Sequence, residues 1–125
     1  MVQIAYGWEL DVDRGPDWLF VRPHRPPGGA EQMPPLAEQV WALMEQNFIH
    51  SLVPELDQID FLSTYLIGQL VWLQKRIHTH DGLMRIAGLC HMGQEVLHQC
   101  RLDSRLPCFS SREEAVMGCQ PRKPR

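Results

Sequence analysis

Long apolar runs are missing from this sequence: no stretch approaches the roughly 18 residues that a membrane-spanning helix needs. The opening, Met1 to Val12, lacks a basic region followed by an apolar run, so a secretory signal is not expected. Excess positive charge is missing as well. Twelve Lys and Arg stand against 15 Asp and Glu, a formal charge of −3, which gives no overall pull toward phosphate backbones or anionic membranes. Neither nucleic acid nor membrane is expected as a partner. The four cysteines, Cys90, Cys100, Cys108 and Cys119, have no secretory context that would make bridges of them, and free packing thiols are expected in a soluble, cytoplasmic chain. Phosphate-cradling glycine patterns are absent: Gly28 and Gly29 sit in a proline-rich loop. No internal repeat occurs, and no cofactor is expected.

What is present suits one domain. At 125 residues and 44% hydrophobic content, folding buries roughly two thirds of the surface that the unfolded chain exposes, without help from metal or disulfide. Trp8, Leu10 and Val12 alternate with Glu9, Asp11 and Asp13, the period of a half-buried strand. Arg14 to Asp17 make a turn into a second β-prone run, Trp18 to Val21, and the two predict a hairpin ended by Pro23. After a loop at Pro26 to Gly29, a helix is predicted from near Pro34 and Pro35. Its core face carries Leu36, Val40 and Leu43, with Ala37, Trp41, Met44 and Phe48 alongside.

Leu52 to Leu62 reads as a strand approaching a second helix, although Pro54 inside it removes a ladder donor and predicts an irregularity. That helix is predicted over about Thr64 to His78, with Leu66, Leu70, Leu73 and Ile77 on one face and the stop at Asp81 and Gly82. Leu83 to Leu89 follows as a strand, Gly93 to Cys100 as a shorter helix and Pro107 to Phe109 as a last strand. Ser111 and Glu114 form a capping box for a last helix through Val116. The order β-β-α-β-α-β-α-β-α implies an α/β domain with a mixed sheet, right-handed crossovers and helices mainly on one face. It covers residues 1–118, and the basic tail, 119–125, is expected to be disordered.

The run LDQIDFLSTYLIGQL, Leu56 to Leu70, resembles the signature of STAS domains, the fold of bacterial anti-sigma factor antagonists. Ile59, Asp60, Phe61 and Leu62 fit the approach to the motif. Ser63 takes the place of its Asp, Thr64 that of the phospho-acceptor Ser, Tyr65 that of the second Ser and Leu66 that of the Gly, and Ile67 and Gly68 match the following Leu and Gly. Asp81 to Gly88 is similar to the family's next strand, and Glu95 to Leu102, Pro107 with Phe109, and Ser111 to Ala115 are similar to its closing portion, so the resemblance covers about residues 8–118. It implies a non-enzymatic partner-switching protein that binds an anti-sigma factor of the serine-protein-kinase type when unmodified and releases it when phosphorylated. Thr64 and Ser63 are then the phosphorylation candidates, and Ser63, Thr64, Tyr65 and Gly68 the partner-binding residues; a homo-oligomer is compatible with this.

A helix start also carries a phosphate well, because unpaired backbone donors and the positive dipole end lie there. Ser or Thr before an apolar helical run reads equally as a plain N-cap. The missing Asp and Gly of the motif leave room for a phosphorylation-independent interaction module. Cys90, His91, His98 and Cys100 are zinc-ligand types, but their spacing matches no common finger and reads as packing and solvation. His78, His80 and Asp81 suggest acid–base chemistry only weakly, since cations near a helix C-terminus complement its dipole. Trp72 lies off the main stripe of its helix, as an exposed contact would.

Overall fold

The computed structural model describes residues 2–26, 35–59 and 62–117. Strands β2 (Glu9–Arg14) and β3 (Trp18–His24) form the predicted antiparallel hairpin, with Val12 opposite Val21 and Leu10 opposite Pro23. An element that the sequence did not suggest precedes it: β1 (Val2–Gln3) pairs antiparallel with β2 after a single turn in which Tyr6 and Gly7 have positive φ. The order among the described residues is therefore β-β-β-α-β-α-β-α-β-α.

On the other side β3 pairs parallel with β4 (Ser51–Pro54), Val21 opposite Pro54. Proline is tolerated inside this strand because of where its missing donor would point. Glu55 donates to Val21 of β3, whereas Leu52 and Leu56 donate to Leu83 and Ala87 on the opposite side. Alternation aims position 54 toward that second side. There the pairing shrinks to two isolated parallel bridges, Leu52 with Met84 and Glu55 with Ala87. Through them the four-stranded sheet reaches β5 (Ile86–Ala87), which pairs parallel with β6 (Cys108–Phe109).

The predicted strand over 52–62 ends early. Leu56 accepts from the Ile59 N–H at 3.0 Å across a turn at Asp57 and Gln58, and Ile59 and Leu62 are buried as loop residues. Asp60 and Phe61, like the predicted loop around Pro27 to Gly29 and the tail from Cys119, lie outside the described residues. The predicted strand over 83–89 likewise contracts to β5.

Alternating side chains give the sheet two faces. On one, Leu10, Leu19, Val21, Leu52 and Ile86 pack with α1 (Leu36–Gln46), α2 (Thr64–Thr79) and α3 (His91–Gln99). On the other, Val53, Ala87 and Phe109 meet α4 (Arg112–Met117) through Ala115, with Trp18, Phe20 and Val116 at the margin. Three helices thus share one face and a single short helix covers part of the other. Helix α2 buries the four predicted residues, Leu66, Leu70, Leu73 and Ile77, each worth about 1.5–3 kcal/mol. It also supplies a cap to α1: Pro35 offers no side-chain acceptor, and Gln69 Oε1 accepts from the Ala37 N–H at 2.9 Å.

The three large helices end alike. Phe48, Asp81 and Arg101 each adopt a left-handed φ of 55–60°, and the next residue donates to the carbonyl five positions back, Ile49 to Met44, Gly82 to Ile77 and Leu102 to Leu97. This is the Schellman ending, normally built on glycine. The conformation turns Phe48 outward, 91% exposed, so it does not join the α1 core face where the helical period placed it. Gly82 has a different duty. A Cβ there would lie 1.7 Å from the His50 carbonyl oxygen, so only glycine lets the chain leave α2 against the start of β4.

Candidate functional site

The end of the sheet that matters is the carboxyl edge of its parallel strands. Helices α2, α3 and α4 each start after a parallel strand has ended, so their N-termini belong to that edge, where ligands of α/β sheets characteristically bind.

At the start of α2 the two adjacent hydroxyls divide the work. Ser63 is the N-cap: its backbone is extended, φ −74° and ψ 159°, and its Oγ accepts from the Leu66 N–H at 3.1 Å. Thr64 is the first helical residue and is exposed. No acidic side chain occupies the first turn, and the helix's positive end with its unpaired donors is therefore open to an added anion. Tyr65 follows with 47% of its surface exposed, and Gly68, one turn on, is exposed with nothing within 4 Å of where a Cβ would stand. Leu66, at the position of the motif's Gly, is fully buried, so its bulk serves the core and does not obstruct the surface. Thr64, Tyr65 and Gly68 thus share the exposed side of the first turns of α2, with the half-buried Ser63 capping that end.

A network that the sequence reading missed lies across the same edge of the sheet. Glu55 is the one charged residue buried among those described. Arg22 binds it at 2.6 Å and reaches Asp57 at 2.9 Å, while Arg112 at the start of α4 binds Glu55 from the other side and Asp13 at 3.0 Å. Arg22, Glu55, Asp57 and Arg112, with Gly88, Ser110, Ser111 and Glu113, line an open cleft. The available signal was a lone carboxylate one residue past an apolar strand. A charge there has to be paired to remain buried.

The capping box at α4 is present in altered form. Ser111 Oγ accepts from the Glu114 N–H at 3.3 Å, but the Glu114 carboxylate returns to the backbone and hydroxyl of Ser110, one residue before the expected partner. Arg85 fastens the far end of that helix by donating to the Ala115 carbonyl at 3.0 Å.

The other candidate chemistries remain dispersed. Among the described residues no group of three or more His, Cys, Asp or Glu could hold a metal ion. His91 pairs with Glu95 and His98 with Asp103, all four on the surface. Cys90 and Cys100 are exposed and Cys108 is half-buried, and burial followed by the nearby Asp103 charge pushes the Cys108 thiol up to about 11. His80 donates through Nδ1 to the Arg76 carbonyl at 2.9 Å and lies against Trp41; no hydrogen bond or ion pair joins Asp81 to it or to His78 among the described residues. No helix among the described residues is long and apolar enough to cross a membrane.

No family model matches the sequence, and no curated protein does. Solved structures do match in shape. The solution NMR structure of the protein TM1081 superposes with a TM-score of 0.73 at 13% identity, over 87% of this chain and 86% of that one. The crystal structure of TM1081 from Thermotoga maritima, named there as a candidate anti-sigma factor antagonist, gives 0.71 at 13% identity over 87% and 92%. An anti-sigma factor antagonist from Mycobacterium paratuberculosis gives 0.71 at 16% identity over 94% and 97%. At such identities the likeness is one of architecture, and the architecture of this chain is the STAS-like fold of the anti-sigma factor antagonists.

Proposed function

We propose that the chain is a non-enzymatic regulator of the anti-sigma factor antagonist kind, docking an anti-sigma factor of the serine-protein-kinase type through the start and exposed side of α2 and released when Thr64 is phosphorylated. The observation that carries this reading is the separation of the two hydroxyls. Ser63 already accepts a backbone N–H as the cap, which leaves Thr64 exposed at the positive end of a 16-residue helix. A phosphate on Thr64 adds about −1.5 to −2 charge. The unpaired donors of the first turn tolerate that charge, and a partner pressed against Tyr65 and Gly68 does not. Ser63 is the second candidate, and its modification would remove the cap.

A second reading is favoured by the residue at position 63. Ser replaces the motif's Asp, and no carboxylate stands in the first turn of α2. The same surface then serves as a phosphorylation-independent docking module in a larger signalling assembly.

Purified protein incubated with the kinase-type anti-sigma factors of its own cell, followed by phosphopeptide mass analysis and binding measurements, separates the readings. Phosphate on Thr64, with binding by a Thr64→Glu variant weakened about tenfold or more, supports the switch. Binding with no modification at Thr64 or Ser63, and an equal affinity for Thr64→Glu, rejects it in favour of the module. Failure of every such partner to bind rejects both.

A further inference from the structure

The exposed side of α2 continues well past its first turn. Tyr65, Gly68, Trp72 and Arg76 recur at three- and four-residue spacing, so they form one stripe along the flank of the buried face of Leu66, Leu70, Leu73 and Ile77; Tyr65, Gly68 and Arg76 are exposed, and Trp72 is half-buried with its inner side against the core. Gly68 has no packing reason to be glycine, since open space lies above it, and a glycine inside a helix costs about 0.5–1 kcal/mol relative to alanine. What it provides is room for another backbone to come close.

Beyond it the stripe turns cationic. The Arg76 guanidinium lies 4.6 Å over the Trp72 ring and 5.8 Å from that of Trp41, with exposed Lys75 beside it. Among the described residues neither Lys75 nor Arg76 has a carboxylate partner, in a chain where acidic residues outnumber basic ones. The contrast with Arg22 and Arg112, each bound to two carboxylates, is sharp. A guanidinium laid on an indole keeps its N–H edge free and held in place for a planar anion. Trp72, Lys75, Arg76, Thr79 and His80 line the shallow hollow where that anion would sit.

We propose that this stripe docks an amphipathic helix of a partner protein, lying antiparallel to α2 with acidic residues in its first turns. Its backbone approaches at Gly68, its apolar side chains cover Tyr65 and Trp72, and its carboxylates meet Arg76 and Lys75. The antiparallel direction follows from the charges. Asp and Glu are favoured at a helix N-terminus, and an antiparallel partner brings that end to the cationic half of α2. The proposal rests on the reading of α2 as a partner surface and adds the chemistry of what binds there.

The test uses the full chain and synthetic 20-residue helical peptides with a leucine stripe, one with Glu in its first two turns, one with Gln and one with Lys at the same places. Binding is followed by fluorescence anisotropy and backbone amide shifts. The Glu peptide is expected to bind about tenfold more tightly than the Gln peptide, to weaken as salt rises, and to shift the amides of Gly68, Lys75 and Arg76. Arg76→Gln and Lys75→Glu remove the Glu preference, and Gly68→Leu removes binding of both peptides. No binding, equal binding of Glu and Gln peptides, a preference for Lys, shifts centred elsewhere, or tighter binding of inorganic polyphosphate at the same residues overturns the proposal. A Thr64→Glu variant keeps the two readings apart: unchanged affinity for the Glu peptide counts against the phosphorylation switch and leaves the docking stripe standing.

Discussion

Replacing Gly68 with alanine should stabilise this protein, a direction opposite to that of most substitutions. The methyl group enters open space, with nothing within 4 Å, in the interior of α2 (Thr64–Thr79), so no contact is lost and none is strained. Two terms favour the variant: alanine is about 0.8–1 kcal/mol better than glycine inside a helix, and the unfolded chain loses freedom that glycine gave it. Because these overlap, a gain of about 0.5–1 kcal/mol is the expectation. Unfolding entropy of about 2.1 cal/mol/K per residue over 125 residues makes 1 kcal/mol worth about 4 °C, so Tm rises by about 2–4 °C.

Scanning calorimetry and urea denaturation measure this directly, with Gly82→Ala as the opposing control. There the new Cβ falls 1.7 Å from the His50 carbonyl oxygen, backbone has to move, and a loss of at least about 1–3 kcal/mol follows. A Gly68→Ala chain that melts at or below the parent temperature refutes the claim that this glycine is idle in the isolated chain. The space above Gly68 would then serve the isolated chain and not an approaching partner.

Other substitutions test the remaining parts of the site. Ser63→Ala removes the cap on α2 and should cost about 1 kcal/mol, whereas Thr64→Ala should change stability by no more than about 0.5 kcal/mol; equal losses in urea melts would contradict the division of labour between them. Glu55→Gln leaves Arg22 and Arg112 facing each other without the carboxylate between them. The usual cost of about 3–5 kcal/mol for breaking a buried pair is reduced here to about 1–3, since both guanidinium groups are nearly one-third exposed, and a loss below about 0.5 would show that the network does not hold α4. The Cys108 thiol, pushed up to about 11, keeps its proton in the folded chain where the unfolded chain has lost it, so stability should fall as pH rises from about 9 toward 11 and be insensitive to Cys108 below that window. Urea titrations of the parent and Cys108→Ala at pH 8 and pH 10.5 check the sign, and iodoacetamide should label exposed Cys90 and Cys100 before Cys108.

Helix α2 was readable almost to the residue because every determinant is local: the apolar period, the hydroxyl before it, and the Asp81 and Gly82 ending. The stretch between β4 and α2 was misread because its determinants are not. Leu56, Ile59 and Leu62 are as buried as strand residues, yet they belong to a turn and a loop whose apolar side chains fill the core beside the sheet. Asp57 and Gln58 in the middle carried the turn signal, and the surrounding hydrophobicity outweighed it. Strand β1 is two residues long and depends on pairing with β2 rather than on its own pattern. Phe48 falls on the apolar stripe by spacing, but α1 ends at Gln46 and the left-handed turn at Phe48 directs it to solvent.

The same distinction bears on the site. That a hydroxyl would sit at the start of α2 followed from sequence; which of two hydroxyls would be occupied did not, since Ser63 and Thr64 are both good caps and the choice turns on one residue of helix boundary. With Ser63 as the cap, a phosphate on Thr64 leaves the helix start intact, whereas a phosphate on Ser63 has to displace the bond to Leu66. Modification at Thr64 would then alter the surface while the fold under it stays fixed, and modification at Ser63 would loosen the end of the helix. Comparing hydrogen-exchange protection of the Leu66 amide in singly phosphorylated chains distinguishes them. Protection retained with phosphate on Thr64 and reduced with phosphate on Ser63 is the expected pair of results, and equal loss in both would mean that the cap and the acceptor are not separable.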